Sequence, residues 1–151
     1  MARIHTRKKG KSGSTKPLNK KVKTWVRYND KEAEKLVLKL RKKGLTPSEI
    51  GLKLRDQYGI PSIKDVTGKK VTQILDDNDE SLEVPEDLRN LFQKYVSVYE
   101  HFKKNKQDNT AKKGIRFTKS KINRLVKYYK DKGKLPNDFR FNYDVAKKII
   151  A

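Results

Sequence analysis

Apolar side chains recur at intervals of three and four residues in two long stretches of the C-terminal half. The first stretch follows Pro85 and contains Leu88, Leu91, Phe92, Tyr95, Tyr99 and Phe102. The second extends from about Lys112 to Gly133 and contains Ile115, Ile122, Leu125, Val126 and Tyr129. Because this spacing places apolar groups on one face of an α-helix, each stretch is predicted to form an amphipathic helix. Two such helices would pack against each other as a hairpin.

The N-terminal half has its own helical signals. A first helix is predicted from the apolar positions Ala33, Leu36, Val37 and Leu40. Gly44 is placed to end it. The segment Thr46–Glu49 reads as a capping box with proline at the first helical position, so a second helix follows directly. A third helical stretch begins near Ser62 or Gly68. Residues 25–78 are therefore predicted to form a small helical unit.

The remaining segments differ in charge. Residues 1–24 carry nine basic and no acidic side chains, and this composition predicts a basic arm that is disordered when free. Residues 79–84 form an acidic connector, and residues 85–151 hold the hairpin and one further short helix over 144–149. The predicted fold is all-α: a basic N-terminal arm, a small helical N-terminal unit and a C-terminal helical hairpin.

The net charge indicates a polyanionic partner. The chain has 39 Lys and Arg residues against 18 Asp and Glu, giving a formal charge of +21. No apolar run approaches the roughly 18 residues of a membrane span, and the start lacks a signal-peptide core, so an intracellular protein without membrane contact is expected. The chain has no cysteine, and its two histidines lie 96 positions apart. We therefore expect neither a metal nor another cofactor.

The segment from His101 to Lys134 is the strongest candidate for nucleic-acid binding. It holds 13 lysines and arginines against two aspartates, interleaved with Phe117, Tyr128 and Tyr129. His101 and Asp108 flank the predicted turn, where they could read base edges in the shallow groove of A-form RNA. An alternative stays open at this point: Asp108 only caps a helix, and His101 is only a partly buried side chain.

The turn also carries a resemblance. The sequence "HFKKNKQDNTAKKGI" followed by "SKINRLVKYYK" resembles the signature of the universal family of small-subunit ribosomal proteins numbered fifteen. The matching positions are His101, Asp108, Lys112-Lys113-Gly114-Ile115, Arg124 and Tyr128. Upstream, "HTRKKGKSGSTKP", "GLTPSEIGLKLRDQYGIP" and "VTGKKVTQIL" resemble the N-terminal extension of the archaeal and eukaryotic members. The resemblance covers nearly the whole chain.

This resemblance implies a function in the ribosome, in the cytoplasm. The protein would bind small-subunit rRNA at a helical junction and an adjoining stem, and would support assembly there. Its other partners would be neighbouring ribosomal proteins and, near the subunit contact, large-subunit rRNA. The bacterial serine is replaced by Ala111, so a hydroxyl contact would come from Thr110, and the bacterial Thr-Gly-Ser stretch has no clear counterpart. The predicted RNA-binding residues are Arg3, His5, Arg7, Lys8, Lys9, Lys11, His101, Asp108, Thr110, Lys112, Lys113, Arg116, Arg124 and Tyr128.

Two other classes of protein share some of these sequence features. Residues 62–75 could be the recognition helix of a helix-turn-helix DNA-binding protein. However, that stretch has only Lys64, Lys69 and Lys70 as basic residues, and no dimerisation element is evident. The segment "TGKKVT" resembles part of a phosphate-binding loop, but position 63 is isoleucine where that loop needs glycine. The chain is therefore not expected to be an enzyme or to bind a small-molecule substrate.

Overall fold

The computed structural model describes residues 24–150, and within this range every regular element is a helix. The helices are α1 (Asp30–Lys42), α2 (Pro47–Gln57), α3 (Ile63–Thr67), α4 (Val71–Asp76), α5 (Glu86–Lys104), α6 (Asn109–Asp131) and α7 (Tyr143–Ile150). The all-α prediction is confirmed for this part of the chain. None of these helices is long and apolar enough to cross a lipid bilayer.

The described residues divide into two compact units, 24–82 and 83–150, and each unit has a core of its own. The acidic segment 79–84 contributes to both. The backbone carbonyl of Glu80 accepts a hydrogen bond from Nε of Arg41 at 3.0 Å within the first unit. Val84 is buried in the core of the second unit.

In the unit formed by residues 24–82, α1 packs against α2, α3 and α4. Ala33, Val37 and Leu40 are the buried residues of α1, as their spacing predicted. The capping box before α2 is also confirmed: the Thr46 hydroxyl accepts from the backbone N–H of Glu49, whose carboxylate accepts the Thr46 N–H. These caps satisfy backbone donors that the first turn of a helix leaves unpaired.

The third helical stretch consists of two short helices, α3 and α4. Gly68 lies between them with a φ of +72°, a left-handed conformation that side-chain-bearing residues rarely adopt. The helix-turn-helix alternative required a single recognition helix over 62–75. A single helix over this range is wrong, because the left-handed backbone of Gly68 interrupts the helical conformation between α3 and α4.

In the unit formed by residues 83–150, α5 and α6 pack as the predicted hairpin. Leu88, Phe92 and Tyr95 from α5 meet Ile122 and Val126 from α6 in the core. The predicted start of α6 near residue 112 is three residues too late. A side-chain cap at residue 108, described below, satisfies the first turn and allows the helix to begin at residue 109.

The C-terminal segment covers the core of this second unit. α7 packs on α5 close to the predicted range 144–149. Before it, the rings of Phe139 and Phe141 stack on Phe92, with centroids 6.3 and 5.3 Å away. The ring of Tyr143 lies 4.6 Å from that of Tyr99. Sequence periodicity did not predict this aromatic cover, because Phe139 and Phe141 lie outside any helix.

Candidate nucleic-acid interface

The turn between α5 and α6 brings His101 and Asp108 together. Asp108 is the N-cap of α6, and its Oδ1 accepts the backbone N–H of Ala111 at 2.9 Å. Its other oxygen, Oδ2, lies 3.0 Å from Nε2 of His101. Asp108 therefore caps the helix, as one interpretation stated, and also pairs with the histidine. The reading of a base edge by these two side chains stays a prediction. The His101 side chain is 52% exposed, which is more open than the partly buried alternative assumed.

A third side chain, missed by the sequence analysis, completes this turn. Asn105 is the C-cap of α5, and its amide Nδ2 lies 3.3 Å from Nδ1 of His101 and 3.3 Å from the His101 carbonyl oxygen. The backbone N–H of Asn105 also donates to that carbonyl at 2.9 Å. The four-residue spacing from His101 was a usable signal, since residues at i and i+4 are neighbours on a helix.

The hydrogen bonds at the turn favour the ionised form of Asp108. The N–H of Ala111 and, next in size, the His101 side chain lower the pKa of the Asp108 carboxyl below its usual range. An ionised carboxylate has only acceptor positions. The exposed edge of Asp108 can therefore accept hydrogen bonds from a ligand but cannot donate one.

The start of α6 next to this turn is basic and open. Lys112, Lys113 and Arg116 line a shallow surface depression together with Asn109. All four side chains are exposed, and so is that of Thr110. Three of the predicted RNA-binding cations therefore surround one concave patch, directly beside the His101–Asp108 pair in the chain.

Arg124 and Tyr128 lie one turn apart further along α6. Tyr128 is 51% exposed, and Nε of Arg124 donates to the carbonyl of Ser120 at 3.3 Å. Its neighbour Tyr129 is different, because its hydroxyl donates to the Asp87 carboxylate at 2.7 Å and its pKa is raised by burial and by that carboxylate. Of the two tyrosines, Tyr128 is the one available to a ligand, and Tyr129 fastens α6 to the start of α5.

The other predicted site residues are Arg3, His5, Arg7, Lys8, Lys9 and Lys11, and they lie outside the described residues. Among residues 24–150, no group of three or more His, Asp or Glu side chains is arranged to hold a metal ion.

Comparison with known proteins identifies the family. Residues 70–147 match the family model described as "Ribosomal protein S15", and residues 1–60 match the "Ribosomal S13/S15 N-terminal domain". The chain belongs to the ribosomal protein S15 family. This membership confirms the resemblance seen at the α5–α6 turn and in the N-terminal extension. The family consists of structural proteins rather than enzymes.

Archaeal members of the S15 family are similar along their whole length. The chain is 46% identical over 151 residues to a protein of Methanococcoides burtonii named "Small ribosomal subunit protein uS15", covering 100% of this chain and 99% of the relative. It is 43% identical over 145 residues to the protein of the same name in Hyperthermus butylicus, covering 96% and 90% of the two chains. The predicted archaeal type of the family is confirmed by these relatives.

Proposed function

We propose that this S15-family protein is a structural constituent of the small ribosomal subunit in the cytoplasm. There it binds small-subunit rRNA at a helical junction with an adjoining stem and supports assembly of that region. The observation that carries the proposal is the paired arrangement of His101 and Asp108 at an exposed turn, 3.0 Å apart, next to a basic depression. The acceptor, which is the Asp108 carboxylate, can pair with a hydrogen-bond donor on a base edge. The neighbouring cations can pair with the phosphates on either side of that base.

The base contact follows from the ionised Asp108 carboxylate. In the minor groove of a nucleic-acid duplex, the exocyclic amino group of guanine is the only donor that the standard base pairs present. The minor groove of A-form RNA is wide and shallow enough for a side chain to reach that group. We therefore assign Asp108, held by His101, to a guanine amino group of the stem.

The phosphate contacts are assigned to the cations of α6. Lys112, Lys113 and Arg116 are exposed beside the turn, and Arg124 and Tyr128 extend the surface along the helix. Thr110 supplies the one hydroxyl near the position where bacterial members carry serine. Contacts to phosphate fix register and contribute affinity, whereas contacts to base edges decide which site is bound. In this proposal the turn decides which site is bound, and the cations of α6 contribute affinity and register.

Residues 1–24 are assigned to further RNA contacts, made by Arg3, His5, Arg7, Lys8, Lys9 and Lys11. Small residues between these cations would allow close approach of the chain to the RNA backbone, and the cations would neutralise phosphates. Neighbouring ribosomal proteins are the other partners. A contact with large-subunit rRNA belongs to the same proposal and would follow from a position near the subunit contact.

Crosslinking in cells tests the proposed location. We expect the protein to crosslink to one junction of the small-subunit rRNA, with crosslinked nucleotides clustering around residues 101–116. Sequencing of the recovered RNA gives the measurement. Crosslinks spread over many unrelated RNAs, or confined to duplex DNA, would contradict the proposal.

Replacing Asp108 by asparagine should cost discrimination rather than general affinity. Asparagine can still cap α6 by accepting from Ala111, but it presents an amide N–H₂ group where the carboxylate offered an acceptor. Loss of one well-made base contact is worth about 1–3 kcal/mol. We expect the ratio of affinities for the junction RNA and for an unrelated RNA duplex to fall at least about fivefold, measured by filter binding or anisotropy.

Two matched controls sharpen this experiment. Replacing Lys8, Lys9 and Lys11 by glutamine should weaken binding to both RNAs alike, because these residues contact phosphates. Replacing each stem guanosine in turn by inosine, which lacks the amino group, should reproduce the loss at one position with native protein and add nothing with Asp108→Asn. Equal loss of discrimination from the Asp108 and lysine variants would contradict the separation of tasks.

A further inference from the structure

The hydrogen bond from the Asn105 side chain bears on which ring nitrogen of His101 carries the proton. An amide nitrogen has two hydrogens to donate and no acceptor position. Its 3.3 Å approach to Nδ1 of His101 therefore requires that Nδ1 be the unprotonated, accepting nitrogen. The proton of the neutral ring must then be on Nε2, and Nε2 is the atom that lies 3.0 Å from Oδ2 of Asp108.

The side chains of Asn105, His101 and Asp108 are linked by two successive hydrogen bonds, and the carboxylate is the last acceptor. Asn105 donates to His101, His101 donates to Oδ2 of Asp108, and the Ala111 N–H donates to Oδ1. With both oxygens held from the protein side, the carboxylate cannot rotate freely. The Asp108 side chain is 36% exposed, so a ligand can still reach it.

We propose that Asn105 is a positioning residue for RNA recognition: its amide acts together with the Asp108 acceptor to hold His101 as the Nε2-protonated tautomer and thereby orients the Asp108 carboxylate. This inference rests on the proposed function for its consequence in RNA binding, but the tautomer itself belongs to the free protein. Asn105 does not touch the base in this arrangement. It acts through two intermediate hydrogen bonds.

A purely structural role for Asn105 makes a different prediction. The backbone N–H of Asn105 already donates to the His101 carbonyl and ends α5, and this bond is available to any residue except proline. If capping were the only task, leucine at this position would leave the imidazole tautomer unchanged. The ring nitrogens of His101 therefore distinguish the two roles.

The test is nitrogen NMR of the histidine rings in the full-length native protein at a pH of about 8, above the ordinary histidine pKa. His101→Gln assigns the signals, because the chain has only two histidines. We expect native His101 to show an unprotonated Nδ1 and a protonated Nε2. Asn105→Leu, which keeps the shape but cannot donate, should raise the share of rings protonated on Nδ1, because only Asp108 then favours a proton on Nε2.

Asn105→Asp gives the opposite test, because it replaces the donor by an acceptor of the same shape. The ring would then lie between two carboxylates that compete for its proton, and we expect a larger share of rings protonated on Nδ1 than in Asn105→Leu. Gln107 provides the matched control, since it is an exposed amide in the same turn. Gln107→Leu and Gln107→Glu should both leave the native pattern intact.

The RNA measurement follows on the same proteins. Asn105→Leu should lower the ratio of affinities for the crosslinked junction fragment and an unrelated duplex by about two- to tenfold, as expected for one lost hydrogen bond. Gln107→Leu should not change it. A native ring protonated on Nδ1, or a tautomer unaffected by Asn105→Leu, would overturn the role of Asn105. Failure of the native protein to discriminate between the RNAs would instead overturn the proposed function.

Discussion

Raising the monovalent salt concentration from about 50 to about 200 mM should weaken binding to the junction RNA by about 10³–10⁵-fold. The reason is counterion release: each phosphate neutralised by a lysine or arginine frees condensed cations, and salt opposes that release. The estimate assumes about six to ten neutralised phosphates, treated as on a duplex. The cations available are Lys112, Lys113, Arg116 and Arg124 on α6, together with those of residues 1–24.

The salt slope also locates the contacts. Replacing Lys112, Lys113 and Arg116 together by glutamine should reduce the slope of log affinity against log salt by nearly 3, or about 0.9 for each phosphate contact. Lys147 and Lys148 on α7 provide the control, because they are also exposed and lie on another helix. Their replacement by glutamine should leave the slope nearly unchanged. A flat salt response of the native protein would contradict the proposed phosphate contacts.

Replacing Phe92 by alanine should destabilise the unit formed by residues 83–150 by about 3–5 kcal/mol. Phe92 has no exposed surface, and it is the side chain on which both Phe139 and Phe141 stack. Its removal leaves a cavity and also takes away the partner of the aromatic cover. Since domains are stable by only about 5–15 kcal/mol, the unit is expected to lose a large part of its free energy of unfolding.

Two probes separate the effects on the two units. Trp25, the single tryptophan, donates from Nε1 to the carbonyl of Gly59, so its fluorescence reports on residues 24–82. We expect thermal unfolding followed by circular dichroism to show a lower transition, with the tryptophan transition little changed. Phe102→Ala is the control, because Phe102 is on α5 but outside the buried core. A Phe92 variant no less stable than the Phe102 variant would contradict this account.

Local patterns predicted most of the helices because each helix carries its own signals. The capping box at Thr46 and the apolar face of α1 are short-range features, and both are present as expected. The α5–α6 hairpin followed from two long apolar faces with a polar turn between them. In these cases the local preference and the final packing agree.

The features that were missed depend on contacts between distant residues or on the geometry of one turn. Phe139 and Phe141 show no helical period, so their place over Phe92 follows only from packing across the fold. Gly68 did mark a break, but a glycine does not by itself show whether a helix stops or continues. At the candidate site, the sequence located His101 and Asp108. The hydrogen bonds from Asn105 needed the closed turn.

The Tyr129–Asp87 bond has a mechanical consequence for recognition. It fastens the hairpin at the end remote from the His101–Asp108 pair, and α6 continues without interruption between them. At 1.5 Å per residue, the stretch of α6 from Asp108 to Tyr128 measures about 30 Å. The helix therefore holds Asp108 and Tyr128 at a fixed separation, and under the proposed function these two residues would contact features of the RNA that lie about 30 Å apart.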